Sequence, residues 1–240
     1  MELDQYMKEL VVDFLGEVMV LFFPDLARRL DFSQTSALNK ELYTDSPKGA
    51  ERFVDLLLEV RVIQPPPEVV LIHFESQQQK RFDFSARMLG YHCLIYAREI
   101  EGERLDSFLL SEFEAWQNRK RLFSFVFCNY PLEEGITHAE SHISLLHTRL
   151  SCHYTMISLP MLSAREYLQK DNPVVCALAV FMDAAGFSPP ELKAALIVEN
   201  GLTIQSIQEI DQLNTFLRRV ITTSRLEEMG IADGFAKKSE

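Results

Sequence analysis

The sequence predicts an α/β protein, a mixed core of strands and helices followed by a helical C-terminal part. Three observations predict it. An apolar stripe opens the chain, with Leu10, Phe14, Val18 and Leu21 recurring at helical spacing and Leu3 and Met7 extending it. Two runs rich in Val, Ile and Leu follow, Phe53–Ile63 and Val69–Gln77, parted by Pro65, Pro66 and Pro67. Beyond Ser163 the pattern is helical nearly to the end, cut into short helices by Pro173, by Gly186 with Pro189 and Pro190, and by Gly201.

Residues 5–23 read as one helix, with Glu9, Asp13 and Glu17 lining another face. Pro24 ends this helix or opens a short new one. Asp31 to Gly49 is polar and broken by Pro47, which predicts a connection with short structure. The two apolar runs predict a hairpin with an irregular turn, because proline cannot donate into a ladder. Phe84, Met88, Tyr91 and Ile95 make one stripe of a helix over 81–98. Leu122–Phe127 and Cys152–Leu159 read as further strands, and Gly230 to Glu240 as a frayed end. Composition sets a boundary near residue 160, giving a core over 1–160 and a helical region over 161–240.

A chain of 240 residues can bury a real core, and it carries no low-complexity tract or fixed-period repeat. The opening MELDQYMKE is acidic and polar, which predicts no secretory signal, and Val18–Phe23 is too short to span a bilayer. Cys93, Cys128, Cys152 and Cys176 stand apart with no CxxC pair, so reduced thiols and a cytoplasmic location are expected, with no membrane partner. The formal net charge of −11 argues against broad, nonspecific binding to nucleic acid. Local basic strips remain at Arg28-Arg29, at Lys80-Arg81 with Arg87, and at Arg119-Lys120-Arg121; each reads first as solvated surface. No GxSxG, P-loop or dinucleotide-binding spacing is present.

The chemistry gathers on the hairpin. Side chains two apart on a strand share a face, about 7 Å apart. His73, Glu75 and Gln77 therefore point one way, as do Asp55, Leu57 and Glu59. With the turn centred on residue 66, Asp55 pairs roughly with Gln77 and neighbours Glu75 at one sheet edge. Two ionised carboxylates side by side repel unless a cation sits between them. A hard divalent cation such as Mg²⁺ takes such oxygens and activates a bound water. Gln77 would orient water or phosphate by hydrogen bonds alone. The plainer reading makes Asp55 a strand-start cap and leaves Glu75 and Gln77 solvated at a strand end.

These residues sit in stretches that carry a resemblance: LFFPDLARRLDF at 21–32, NKELYTD at 39–45, RFVDLLLEV at 52–60, VLIHFESQQQ at 70–79 and FDFSARMLGYHCLIYAR at 82–98. The chain resembles the bacterial recombination-promoting nucleases and putative transposases of the PD-(D/E)XK superfamily. YLQKDNPVVCALAVFM at 167–182 is similar to that family's helical C-terminal part. The resemblance implies a restriction-endonuclease-like core, a mixed sheet flanked by helices. It implies a DNA endonuclease dependent on Mg²⁺ or Mn²⁺, with Asp55 and Glu75 as metal ligands and Gln77 in the place of the usual lysine. Glu41 stands where such proteins often carry an acid and would complete the site. DNA is the implied partner, and a homodimer is compatible with it. Degenerate nuclease folds also serve as inactive binding modules, which is the rival reading.

Other features weigh less. His138 and His142 would share a helix face, but no HExxH or matching Cys accompanies them, so a structural or surface role is expected. His73 shares the face of Glu75 and either touches the site or packs in the core. Arg87 faces a phosphate or ties down an acid such as Glu75.

Overall fold

The computed structural model describes residues 3–38, 55–65, 67–101, 120–145, 148–184 and 186–187. The elements run α1 (Leu3–Asp13), α2 (Leu15–Phe22), α3 (Pro24–Ala27), β1 (Leu30–Ala37), β2 (Leu56–Val62), β3 (Val69–Gln77), α4 (Phe84–Glu101), β4 (Lys120–Cys128), β5 (Ile136–Leu145) and β6 (Thr148–Ser158). A 3₁₀ turn (Leu159–Met161), α5 (Ala164–Tyr167) and α6 (Val174–Ala179) follow. The protein is therefore α/β. Its described strands form one six-stranded mixed sheet in the order β1-β2-β3-β4-β6-β5. The β1–β2, β2–β3 and β5–β6 pairs are antiparallel, and β3–β4 and β4–β6 are parallel.

The chain divides into two compact units. One spans Phe22–Ser158 and contains the sheet. Its core on one sheet face is built from Leu57, Leu71, Val126 and Tyr154 against Phe84, Met88, Tyr91 and Ile95 of α4. Burial of such side chains contributes roughly 1.5–3 kcal/mol each. Strand parity sends the intervening residues to the opposite face. There Phe74, Phe125 and Phe127 stack with ring centroids 5.2–5.6 Å apart, and Phe22 meets Phe127 at 5.6 Å.

The other unit joins residues 1–21 to those from Leu159 onward. The expected helix over 5–23 is interrupted at Phe14, yet helical hydrogen bonds run through the break, Phe14 to Leu10 and Val18 to Phe14, both 3.0 Å. Pro24 opens the short α3, as its fixed φ favours at a first helical turn. Asn172 fastens this unit internally. Its Nδ2 donates to the Glu17 carbonyl at 2.8 Å and its Oδ1 accepts from the Val174 N–H at 3.0 Å.

Two strands lie where none was expected. The polar stretch from Asp31, expected as a connection, is strand β1 as far as Ala37. Ile136–Leu145, which holds His138 and His142, is strand β5. Both are edge strands with one partner each, so they need no continuous apolar pattern, and Leu30–Ala37 is further interrupted by an irregular register between Asp31 and Ser36. The segments 39–54, 102–119 and 188–240 lie outside the described residues, and with them most of the expected helical region over 161–240 and the expected frayed end from Gly230. No helix among the described residues is long and apolar enough to cross a membrane.

Candidate functional site

The site begins with the β2–β3 register. Leu56 pairs with Phe74 and Leu57 with His73, and the Val62 N–H closes the turn on the Glu68 carbonyl at 2.9 Å. One step beyond Leu56, Asp55 comes opposite Glu75. The sequence expectation placed Asp55 opposite Gln77, so the hairpin is offset by two residues. An even offset leaves every side chain on its expected face. The two acids are clasped through the backbone. The Asp55 N–H donates to Glu75 Oε1 at 3.0 Å, and the Ser76 N–H donates to Asp55 Oδ2 at 3.0 Å.

Glu75 is fully buried. Its Oε1 also meets His73 Nε2 at 3.2 Å, and its Oε2 accepts from Arg87 Nη2 at 3.3 Å. A buried carboxylate is costly unless paired and hydrogen-bonded, and here both conditions are met. Arg87 reaches the site from the first turn of α4. Its guanidinium carbon lies 5.7 Å from the Phe84 ring centre and 5.8 Å from that of Tyr91. These residues stand three before and four after it on one helix face. Burial opposes the Arg87 charge, but Tyr91, Glu75 and Asp83 outweigh it and raise its pKa. Burial and the Glu75 charge push the Tyr91 phenol up.

Behind Glu75 lies a second polar group. His73 Nδ1 is 3.2 Å from Ser124 Oγ on β4, and His92 Nε2 on α4 is 2.8 Å from the same hydroxyl. All three residues are buried. Burial drives the His73 imidazole down to about 4 against the opposing pull of Asp55. Burial, aided by His73 and His153, drives His92 down to about 3. Both rings are neutral near pH 7. Sequence reasoning singled out neither Ser124 nor His92. A signal existed, since Ser124 is the one polar side chain within the apolar run Leu122–Phe127.

The remaining expected residues behave differently. Gln77 is buried, and its Nε2 donates to the Ser76 carbonyl at 2.9 Å, along its own strand. Glu41 lies outside the described residues. His138 and His142 share a strand face rather than a helix face, roughly 13 Å apart along the strand. His138 Nδ1 meets Thr155 Oγ1 at 3.1 Å. Among the described residues no group of three or more His, Cys, Asp or Glu is arranged to hold a metal. Asp55 and Glu75 nonetheless present carboxylate oxygens from neighbouring strands, the donor type that hard divalent cations take. The four cysteines are free thiols; Cys128 and Cys152 are buried and pushed up to about 11 by that burial.

Fold and site together define an α/β protein with a clasped, partly buried pair of acids at the end of a hairpin. No protein-family model, no curated protein and no solved structure matches the chain.

Proposed function

We propose that this chain is a metal-dependent DNA endonuclease on a restriction-endonuclease-like core, of the recombination-promoting nuclease type within the PD-(D/E)XK superfamily. The observation that carries the reading is the clasp of Asp55 and Glu75, which holds two carboxylates at the open end of the β2–β3 hairpin with Gln77 two residues further on. The mixed sheet, with its β2–β3 hairpin and a parallel β4 beyond α4, supports the fold reading.

Asp55 and Glu75 would hold Mg²⁺ or Mn²⁺. Their oxygens fit a cation that keeps several waters and takes few protein ligands. Such an ion supplies a more acidic bound water and charge stabilisation at the departing oxygen. Hydrolysis would add water to phosphorus and break one P–O ester bond, the departing oxygen taking up a proton to leave as a hydroxyl while the phosphate keeps the water's oxygen. Arg87, 3.3 Å from Glu75 Oε2, offsets the charge of that buried carboxylate, and Gln77 would orient by hydrogen bonding. The loop from Gln78 to Arg81 leads out of β3 beside these residues and is exposed, as is Phe82 at its end. Lys80 and Arg81 would meet phosphates there, and Phe82 would stack on a base.

The rival reading is an inactive binding module on the same fold. It is favoured by Arg87, whose guanidinium already meets Glu75 Oε2, and by Gln77, whose amide turns to its own strand. Cleavage of supercoiled plasmid with Mg²⁺ or Mn²⁺ decides between them. Nicking by the wild type that Asp55→Ala and Glu75→Ala both lose is the expected result. No cleavage by the wild type supports the binding module, and equal cleavage by all three proteins places any activity elsewhere.

A further inference from the structure

We infer that Ser124 and His92 are positioning residues for Glu75, acting through His73. The inference takes from the proposed function only that Glu75 is a ligand. The geometry is a continuous hydrogen-bonded row drawn from β3, β4 and α4. It runs Glu75 Oε1 to His73 Nε2 at 3.2 Å, His73 Nδ1 to Ser124 Oγ at 3.2 Å, and Ser124 Oγ to His92 Nε2 at 2.8 Å.

The direction of every hydrogen in this row follows from its end. An ionised carboxylate only accepts, so His73 Nε2 carries the hydrogen. Neutral imidazole has one donor and one acceptor, so His73 Nδ1 accepts. Ser124 has a single hydroxyl hydrogen and donates it there. The Ser124 oxygen then accepts from His92, whose hydrogen is on Nε2. The whole row is thus polarised toward Glu75 Oε1.

That oxygen is held from two sides, by the Asp55 N–H and by His73. The carboxylate plane is set before any ligand arrives, with Oε2 turned toward Arg87. Three buried polar groups cost desolvation, which apolar residues of similar size would avoid. A satisfied polar network offsets that cost and fixes one arrangement. Partners of this kind orient a ligand, and losing one weakens metal binding by roughly 10–100-fold.

The test uses the full chain with ¹⁵N-labelled histidine. In the metal-free wild type, His73 and His92 should both show the Nε2–H tautomer. Ser124→Ala should lose the single His92 tautomer, whose Nε2 partner it removes, and weaken Mn²⁺ binding roughly tenfold. Ser124→Thr, which keeps the hydroxyl, should restore both. His92→Phe keeps a ring without the donor and serves as an independent variant should Ser124→Ala fold poorly; it should weaken Mn²⁺ binding in the same direction. An Nδ1–H tautomer at His73 in the wild type overturns the inference. So does a folded Ser124→Ala protein with the wild-type His92 tautomer and Mn²⁺ affinity, or a folded His92→Phe protein with the wild-type Mn²⁺ affinity. A wild type that binds no Mn²⁺ fails the metal reading instead, and the tautomers still decide the row.

Discussion

Arg87 meets Glu75 Oε2 at 3.3 Å, bringing a guanidinium that is 19% exposed onto a carboxylate that is 1% exposed. Glu75 is the only buried acid among the described residues, so this cation is what keeps its charge tolerable in the core. Arg87→Met should therefore cost about 2–3 kcal/mol. Adding Glu75→Gln to it should recover part of that loss, because the stranded charge is gone. Urea unfolding of the two single variants and the double variant measures the coupling.

Asp55 separates structure from ligation. Its Oδ2 accepts the Ser76 N–H, a role that an amide oxygen also fills. Asp55→Asn should stay within about 1 kcal/mol of the wild type in stability. Its Mn²⁺ binding should fall by at least about tenfold, since an amide is a weaker, uncharged ligand. Asp55→Ala should lose both. Calorimetric titration beside thermal unfolding reads the two effects separately.

The buried imidazoles set a pH dependence. His92 titrates at about 3 in the fold against an ordinary 6.5, and His73 at about 4. Between those values the unfolded chain takes up protons that the folded chain refuses. Stability should therefore be complete above about pH 6.5 and fall as pH drops toward 4, by on the order of 1 kcal/mol per pH unit for each ring. His73 and His153 add to the effect at His92, whereas Asp55 opposes it at His73. Urea midpoints across this range should fall more shallowly for His92→Phe than for the wild type.

The exposed loop carries the DNA contacts in the proposed function. Phe82 is 104% exposed, so Phe82→Ala removes no core packing. Stability should change by less than about 0.5 kcal/mol. Lys80→Glu should weaken DNA binding several-fold and reduce its salt dependence, as loss of a phosphate contact does. Phe82→Ala should favour duplex over single strand, because stacking on unpaired bases is lost. Fluorescence anisotropy with both DNA forms at two salt concentrations checks each expectation.

Where periodicity is local, the chain declares its structure. Val69–Gln77 is a strand over the bounds its apolar run suggests, and the stripe from Phe84 to Ile95 is the buried face of α4. Parity alone puts His73, Glu75 and Gln77 on one face of their strand, and Asp55 with Leu57 on one face of theirs, because side chains alternate whatever the partner strand is. The edge strands β1 and β5 were not legible. Half of their backbone ladder is unpaired within the sheet, and Leu30–Ala37 is mostly polar, so no alternation marks it.

Tertiary structure decided the rest. The hairpin's two-residue offset depends on how the proline-rich turn closes between Val62 and Glu68, which side-chain periodicity does not encode. The environment of Glu75 depends on contacts across 51 residues from His73 to Ser124 and 32 from His92 to Ser124. Residue type and spacing alone determined which side chains of each strand share a face. Only the packing of β3, β4 and α4 decided that Glu75 is buried, held by a neutral imidazole, and paired with Arg87, because burial and long-range partners are properties of the assembled core.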